Sequence, residues 1–492
     1  MRICSLYGAG FFYIPGTDTC IKLGGYLRVN TTFNGGIHGQ PAWSGDLGQD
    51  NRYRDYFASR SRLALTVDTR TASEYGVVRT FGQGDFQFGT LGNNTFNPAS
   101  INGTSPVGGT QLLDTAGGGY VAVEYLFIQF AGFTFGKSSS AYSTPWNGFP
   151  GNISSSLLGG NNTDTGTNNI QYTAQFGNGV SGTIGLDDPT VWNRTVVANL
   201  SLPLSATLGA ANAYAGTHAP DVVGNIRVDQ AWGLFQISGA LHEVNGSYNL
   251  LNTVTAPAGA TGLAGAAPVA GSETSGHPET KWGGSVMAAL QIKNIPTGAG
   301  DDIKVDVSYA KGDTKNVIAT SGTSPSFAMF GSSNAAYQSV GFGLTSDGVY
   351  RPVANGGDGS LHLTESYGIR GAFNHNWDPY WSSSLFGSYS AVRYDGTAKA
   401  DICTNYVTAG KSVGGAIAFS CNPDFNVSQL GVVTRWTPVK NLTFSAEVQW
   451  FHLDQKFSGV ATLGPPAPKP SAVYEFKDQD AISLQVRAQR NF

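Results

Sequence analysis

The chain has 492 residues, of which only 13% are charged, against about 25% in soluble domains. Its formal net charge of −4 argues against the basic surface that nucleic-acid binding requires. No run of 18 apolar residues occurs, which argues against a transmembrane helix. The 66 glycines and the aromatic content of 12% favour an all-β protein instead, because glycine supplies turns and aromatic side chains favour strands.

Period-two alternation of apolar and polar residues begins near the N-terminus. In segment 21–30, apolar residues alternate with polar ones, and the apolar set is Ile21, Leu23, Leu27 and Val29. The same alternation returns in segments 60–70, 302–311, 441–453 and 482–489. This period predicts strands with one apolar and one polar face. A soluble β-sandwich alternates in the same way, so no single segment decides the fold.

The connections between these segments carry the stronger signal. Tight joins are predicted at 71–74, 130–132, 177–179, 377–380 and 437–441. Long joins are predicted at about 31–58, 89–117, 139–168, 244–280, 312–363, 395–427 and 454–477. Short and long joins alternate to the end of the chain, as in transmembrane barrels, whereas a Greek-key sandwich has no reason to keep this order. A sheet in lipid must close, because the bilayer offers no hydrogen-bond partner to its edges.

We therefore predict an all-β fold, a transmembrane antiparallel β-barrel formed by residues 1–492 as one domain. The segments number up to eighteen, and sixteen is equally tenable, because short ones such as 180–186 and 195–202 are weak. Both numbers are even, as single-chain bacterial barrels require. Segment 253–276 is nearly low-complexity and is expected to be a mobile loop. No secretory h-region follows Met1, so we expect that a signal peptide has been removed or replaced.

The four cysteines form two close pairs, Cys4 with Cys20 and Cys403 with Cys421. Their spacing fits neither a CxxC redox motif nor a zinc knuckle. Two local disulfides are favoured over free thiols, which would indicate an oxidising compartment.

No constellation of catalytic residues is visible. The seven histidines are scattered, and the HExxH, CxxC, GxSxG and P-loop motifs are missing from the sequence. We therefore expect no enzyme, no cofactor and no metal. The segment around Asp358, with glycines on both sides, could hold calcium, although a plain flexible loop is favoured.

Three stretches resemble the general porins of alphaproteobacteria. Residues 7–30 (YGAGFFYIPGTDTCIKLGGYLRVN) resemble the start of those proteins, 128–139 (IQFAGFTFGKSS) the strands that lead into their constriction loop, and 436–450 (WTPVKNLTFSAEVQW) a late hairpin. The chain ends in VRAQRNF, and Phe492 on an alternating strand resembles the signal read by the outer-membrane assembly machinery. The resemblance covers both ends and the middle of the chain.

The resemblance implies a homotrimer in the outer membrane of a Gram-negative bacterium, surrounded by outer-membrane lipids. Each barrel would be a passive, water-filled pore for small hydrophilic solutes and ions, narrowed by the inward-folded loop 139–168. Basic side chains on the wall would face acidic groups on that loop and sort solutes by size and charge. A channel specific for sugars or oligopeptides and a soluble secreted sandwich are the alternatives.

Alternation alone places four arginines on inward faces of the first strands, together with Tyr26. They are Arg28, Arg60, Arg62 and Arg79. A guanidinium facing lipid at the membrane midplane would cost about 2–4 kcal/mol, so these side chains must face the interior or another protomer. They are interpreted as a pore-lining cluster at one height, or alternatively as structural charges tied to loops and turns.

The loop 139–168 departs from the family pattern, because Asp164 is its one acidic residue. Glu124 and Asp187 lie on the flanking segments, and their orientation is open. We therefore expect weak selectivity that leans toward anions. The aromatic residues Tyr142, Trp146 and Phe149 are expected to wedge the loop against the wall rather than to bind solute.

Overall fold

The computed structural model describes the chain except for residues 1–2, 46, 53, 91–118, 192–193, 203, 206–207, 252–268, 322–323, 412–417 and 466–468. Sixteen antiparallel strands, numbered here β1 to β16, form the wall of a closed barrel. Their bounds are β1 Cys20–Phe33, β2 Phe57–Ser73, β3 Gly76–Gly89, β4 Tyr120–Phe130, β5 Phe133–Ser138, β6 Thr167–Gly177, β7 Val180–Asp187, β8 Asp221–Gln230, β9 Gly233–Val244, β10 Lys281–Lys293, β11 Asp302–Lys311, β12 Glu365–Asn376, β13 Trp381–Arg393, β14 Phe425–Val439, β15 Leu442–Gln455 and β16 Gln479–Asn491.

The barrel closes between its first and last strands. Strand β1 pairs with β2 on one side and with β16 on the other, in a register that runs from Tyr26 opposite Asn491 to Phe33 opposite Leu484. Beyond this ladder, Gly25 exchanges backbone hydrogen bonds with Phe492. Closure satisfies the backbone groups of both terminal strands, which an open sheet would leave unpaired in lipid.

The predicted alternation of short and long joins is confirmed. Residues 74–75, 131–132, 178–179, 231–232, 294–301, 377–380 and 440–441 connect strands at one end, called the turn end below. The connections at the other end are long, and three are used below: L1 (34–56), L3 (139–166) and L6 (312–364).

The strand count resolves to sixteen rather than eighteen. Segment 180–186, one of the two weak ones, is part of the wall strand β7. Segment 195–202 is not a wall strand, because only Val197–Asn199 is extended there and it belongs to a small sheet formed by the long loops. The connection 188–220 between β7 and β8 is therefore one long loop. The sequence interpretation had divided it by a weak strand at 195–202. Of the loop expected at 253–276, residues 253–268 lie outside the described residues.

The two faces of the wall follow the predicted period. On β1, Leu23, Leu27 and Val29 point outward and remain 60%, 50% and 42% exposed. The side chain of Asn30, on the opposite face of the same strand, is buried inside the barrel. An apolar outer face and a polar interior are what a barrel in lipid requires, and the reverse of what a soluble barrel shows.

The long loops pack into a layer of their own above the barrel. Strands Phe327–Gly331, Gln338–Gly343, Ala418–Ser420, Ser458–Leu463 and Ala472–Phe476 form one sheet, and Val197–Asn199, Gly348–Tyr350 and Leu361–Leu363 form another. Helix α1 (Gly396–Lys411) lies in this layer, and its Cys403 is disulfide-bonded to Cys421. Buried aromatic residues such as Phe342, Tyr406 and Phe476 give the layer a hydrophobic core. The described part of the chain contains no helix that is long and apolar enough to cross a membrane.

The N-terminal segment lies beside the first residues of β1, at the turn end of the barrel. Short strand Phe12–Tyr13 pairs with the first residues of β1, and the second disulfide joins Cys4 to Cys20. Short 3-10 helices occur at Ser5–Tyr7, Leu47–Gln49, Glu273–Ser275, Thr314–Asn316 and Val353–Asn355. Both expected cysteine pairings are present.

Candidate functional site

Two cavities inside the barrel meet at a narrow ring of side chains. The cavity on the long-loop side has a volume of about 670 Å³, and that on the turn side about 490 Å³. Seven residues contribute to the lining of both cavities, and we call this set the eyelet: Arg28, Arg62, Glu124, Phe149, Ile153, Asp164 and Arg487. The eyelet therefore lies between the two cavities, and five of its seven side chains are ionisable.

Adjacent strands bring together the three arginines of the eyelet and Arg60 beside them. Arg28 of β1 lies directly opposite Arg62 of β2, and Arg60 lies two residues further along β2. Closure of the barrel adds Arg487 of β16, which pairs with Asn30 of β1. All four arginines point to the same interior face, because residues two apart on a strand share a face.

Three of these arginines have only neutral partners. Arg28 donates to Gln489 Oε1 at 2.7 Å, and Arg487 donates to Asn30 Oδ1 at 2.8 Å and to the carbonyl of Ile153 at 2.8 Å. Arg60 lies 2.5 Å from Nδ1 of His38 and 3.5 Å from Oε1 of Gln87. Within the described residues, none of the three has a carboxylate within ion-pair distance. Their positive charges are therefore uncompensated by direct pairing.

Arg62 is the exception in this cluster. Its guanidinium lies 2.8 Å from Asp85 and 3.2 Å from Glu124, and it also donates to the hydroxyl of Tyr26 at 3.2 Å. Two carboxylates thus offset the charge of Arg62, whereas the positive charges of Arg28 and Arg60 have no such partner among the described residues. The inward orientation of Glu124, which the sequence left open, is settled by this contact.

Loop L3 supplies the other side of the eyelet through Asp164, Phe149 and Ile153. Burial in the barrel raises the pKa of the Asp164 carboxyl, and the nearby Arg28 and Arg62 act against that rise. In L1, burial and then the charges of Arg60 and Arg62 hold the pKa of His38 well below its ordinary value. His38 therefore faces Arg60 as a neutral ring at pH 7.

Hydrogen bonds to the wall hold L3 inside the barrel. Glu447 of β15 accepts the backbone N–H groups of Ile153 and Ser154 at 2.5 and 3.2 Å. The side-chain Oε1 of Gln429 on β14 accepts the backbone N–H of Leu158 at 2.8 Å. These contacts fix a loop that has little regular structure of its own, so the wall determines its position.

The aromatic residues of L3 divide between two places. Tyr142 is fully buried, and Trp146 is 8% exposed and donates its indole N–H to Asp306 of β11 at 2.8 Å. Both side chains pack between the loop and the wall, as expected of wedges. Phe149 instead lines the eyelet itself.

Comparison with known proteins assigns this barrel to a family. A family model described as "Porin subfamily" matches residues 1–485. The chain belongs to the porin subfamily. The porin Omp2b of Brucella abortus (strain 2308) is 29% identical over 234 residues, which cover 47% of this chain and 54% of that relative. Omp2b of Brucella melitensis is 28% identical over the same length. The chain thus spans about half the length of the curated relatives it matches.

Among solved structures, the porin is similar to the outer membrane channel DcaP of Acinetobacter baumannii. The TM-score is 0.56 at 14% identity, and the match covers 98% of this chain and 99% of that one. This likeness concerns the fold alone. Together with the family, it confirms the expected barrel and its localisation in the outer membrane of a Gram-negative bacterium. The turn end of the porin is then the periplasmic end, and the long loops are extracellular.

The structure places Arg79 away from the other predicted site residues. Arg79 of β3 lies opposite Arg70 of β2, eight residues beyond Arg62 and on the order of 26 Å from it. There Arg79 and Arg70 share Asp68, whose oxygen lies 3.0 Å from Arg79 and 3.1 Å from Arg70. Arg79 is therefore not part of the cluster around Arg62. It fits the alternative interpretation from the sequence, a structural charge near the turns.

Sequence reasoning missed two groups that contact the eyelet. Arg487 lies on the polar face of the last strand, but only closure of the barrel brings it beside β1. Asp85 lies on the same face of β3 as Arg79, but only the pairing of β3 with β2 brings it beside Arg62. Among the residues that the porin structure describes, no group of three or more His, Cys, Asp or Glu is arranged to hold a metal ion. Asp358 pairs with His362 at 3.0 Å instead.

Proposed function

We propose that this porin forms a passive, water-filled channel for the diffusion of small hydrophilic solutes and ions across the outer membrane. The observation that carries the proposal is the meeting of the two interior cavities at the eyelet. A polar path with a single charged constriction admits solutes by size and charge and requires no covalent chemistry. In this proposal L3 acts as the constriction loop, and the protein is not an enzyme.

Conductance of the purified protein in a planar lipid bilayer tests this proposal. We expect stepwise, ohmic openings whose conductance rises in proportion to the salt concentration. A silent membrane, with insertion of the folded barrel verified by heat-modifiable electrophoresis, would contradict a water-filled channel.

The proposed channel favours anions weakly. Arg28, Arg60 and Arg487 contribute positive charge without a carboxylate partner among the described residues, whereas L3 contributes Asp164 on the opposite side. The eyelet therefore presents a net positive potential to a passing ion, and a narrow low-dielectric passage strengthens such a potential. A reversal potential measured in a potassium chloride gradient should have the sign of anion preference. Strong cation preference would refute this part of the proposal.

The proposed functional unit is a homotrimer inserted by the outer-membrane assembly machinery. The resemblance of segments 7–30 and 436–450 to trimeric porins and the final residue Phe492 support this proposal. Light scattering of the detergent-solubilised protein should give three chains per particle, and conductance steps should then appear in groups of three. A monodisperse monomer with full channel activity would contradict it.

A further inference from the structure

The outer face of the porin carries a trough near its periplasmic end. It is a cavity of about 500 Å³ on strands β1, β16, β15 and β14. Its lining is mostly apolar and includes Thr31, Val486, Ala446, Thr434, Trp436 and Phe444. The trough lies on the side of the wall that faces lipid, because the neighbouring Val29 and Val486 are 42% and 38% exposed on that side.

The strand register explains why the wall is hollow here. Thr31 pairs with Val486, Val486 with Ala446, and Ala446 with Thr434, so four short side chains lie side by side across four strands. The hydroxyl of Thr434 lies 3.0 Å from that of Ser383 and the hydroxyl of Thr31 lies 3.3 Å from that of Ser59. Because neighbours satisfy both hydroxyls, the floor presents mainly carbon to the lipid.

The periplasmic rim of the trough is formed by bulky side chains with one gap. Trp436 and Phe444 pair across β14 and β15, with ring centroids 5.7 Å apart. The next position in that row, on β16, is Ala488, which pairs with Phe444. The short side chain of Ala488 leaves an opening in the rim that faces the periplasmic end.

Two cations lie immediately below the opening. Arg490 is two residues beyond Ala488 on the same face of β16, on the order of 7 Å away, and Lys440 is in the neighbouring turn. Both side chains are exposed, and Arg490 donates one N–H to the carbonyl of Lys440. In the described part of the chain neither cation has a carboxylate within ion-pair distance. Both positive charges can therefore interact with an anion at this height.

We propose that the trough binds an acyl chain of an anionic glycerophospholipid of the periplasmic leaflet, with its phosphate on Arg490 and Lys440. Tryptophan residues mark the depth of the headgroups, and Trp436 and Trp381 stack at 5.8 Å beside the trough. A phosphate at that depth would lie beside the two cations, while the small side chains of the trough would admit a hydrocarbon chain. Basic residues at a membrane surface favour anionic lipids in just this way.

Native mass spectrometry of the full-length porin tests the proposal, with phosphatidylglycerol as the anionic probe and phosphatidylethanolamine as the neutral one. The wild-type protein should retain phosphatidylglycerol in preference to phosphatidylethanolamine by up to about 30-fold, from about 1 kcal/mol for each of two cations. The double variant Arg490→Gln/Lys440→Gln should lose this preference, and Ala488→Leu, which closes the opening, should weaken retention of both lipids. Heat-modifiable electrophoresis confirms that each barrel is folded.

The matched control is Lys293→Gln, which removes a cation at the same end of the barrel that lies 3.3 Å from Asp229. This control should keep the wild-type preference. Equal retention of both lipids by the wild-type protein would overturn the proposal, and so would a preference that survives the double variant. A double variant that dissociates the oligomer while keeping its lipid preference would also overturn it, because the face would then contact a second copy of the chain.

Discussion

Arg370 of β12 donates from Nε to Oδ1 of Asp306 on β11 at 2.9 Å, and both residues are only 1% exposed. The same carboxylate accepts the indole N–H of Trp146, and Arg370 also donates to the carbonyl of Asn161 at 2.5 Å. One buried ion pair on the wall therefore holds two points of L3. The proposed constriction depends on a contact that lies outside the eyelet.

Asp306→Asn tests this anchor. Removing the charge leaves Arg370 buried without its partner, which typically costs about 3–5 kcal/mol. We expect a lower temperature of heat modification and noisier open-channel current, because L3 loses its fixed position. Both can be measured on the purified protein.

The matched control for Asp306→Asn is Glu365→Gln on the same pair of strands. Glu365 lies 2.7 Å from Lys311, but the two side chains are 43% and 53% exposed. Such a pair contributes less than about 1 kcal/mol, so stability and current should stay close to wild type. Equal effects of the two substitutions would contradict a special role for the buried pair.

Neutralising charges in the eyelet, or at Arg60 beside it, should shift ion selectivity in a predictable order. Arg60→Gln and Arg487→Gln each remove an uncompensated charge, and we expect the chloride preference to fall by up to about fivefold, from a ~1 kcal/mol interaction at contact distance in water. Glu124→Gln removes one of the two carboxylates beside Arg62 and should raise the preference. Reversal potentials in a salt gradient measure each shift.

Arg79→Gln is the control for these charge variants, because Arg79 lies near the periplasmic turns with Asp68. It should leave the reversal potential almost unchanged. A shift as large as that of Arg60→Gln would show that the selectivity is not set at the eyelet.

Gly368→Leu should displace L3 without changing any charge. A Cβ atom at Gly368 would lie 2.8 Å from the backbone of Gly159, closer than real Cβ contacts allow. The atoms in the way belong to the backbone of L3, so the loop itself has to move to make room. We expect altered single-channel conductance with a folded barrel. Gly239→Leu, where the nearest atom is 3.9 Å away, should conduct like the wild type.

His38 predicts a pH dependence of stability. The folded-state pKa lies below the unfolded value of about 6.5, through burial first and then through Arg60 and Arg62. As the pH falls below that value, the unfolded chain takes up a proton that the folded protein does not, and stability decreases. The heat-modification temperature of wild type should therefore fall more steeply than that of His38→Gln between pH 7 and 5. Parallel curves would show that His38 does not contribute.

The sequence by itself determined the fold class, the alternating faces of the wall, the order of short and long connections and the two cysteine pairs. These are local properties. A period of two residues, the composition of a join and the spacing between cysteines are visible in the sequence without knowledge of which strands are neighbours. The same periodicity placed Tyr26, Arg28, Arg60 and Arg62 on the interior face.

Only the tertiary structure decided which of these side chains meet. Strand register separates Arg79 from the cluster, and closure of the barrel brings in Arg487 from the other end of the chain. The position of Asp164 and Phe149 depends on bonds from L3 to distant strands, because the loop has little regular structure of its own. Height along a strand is set by pairing between strands, and a period of two residues specifies the face of a side chain but not its height.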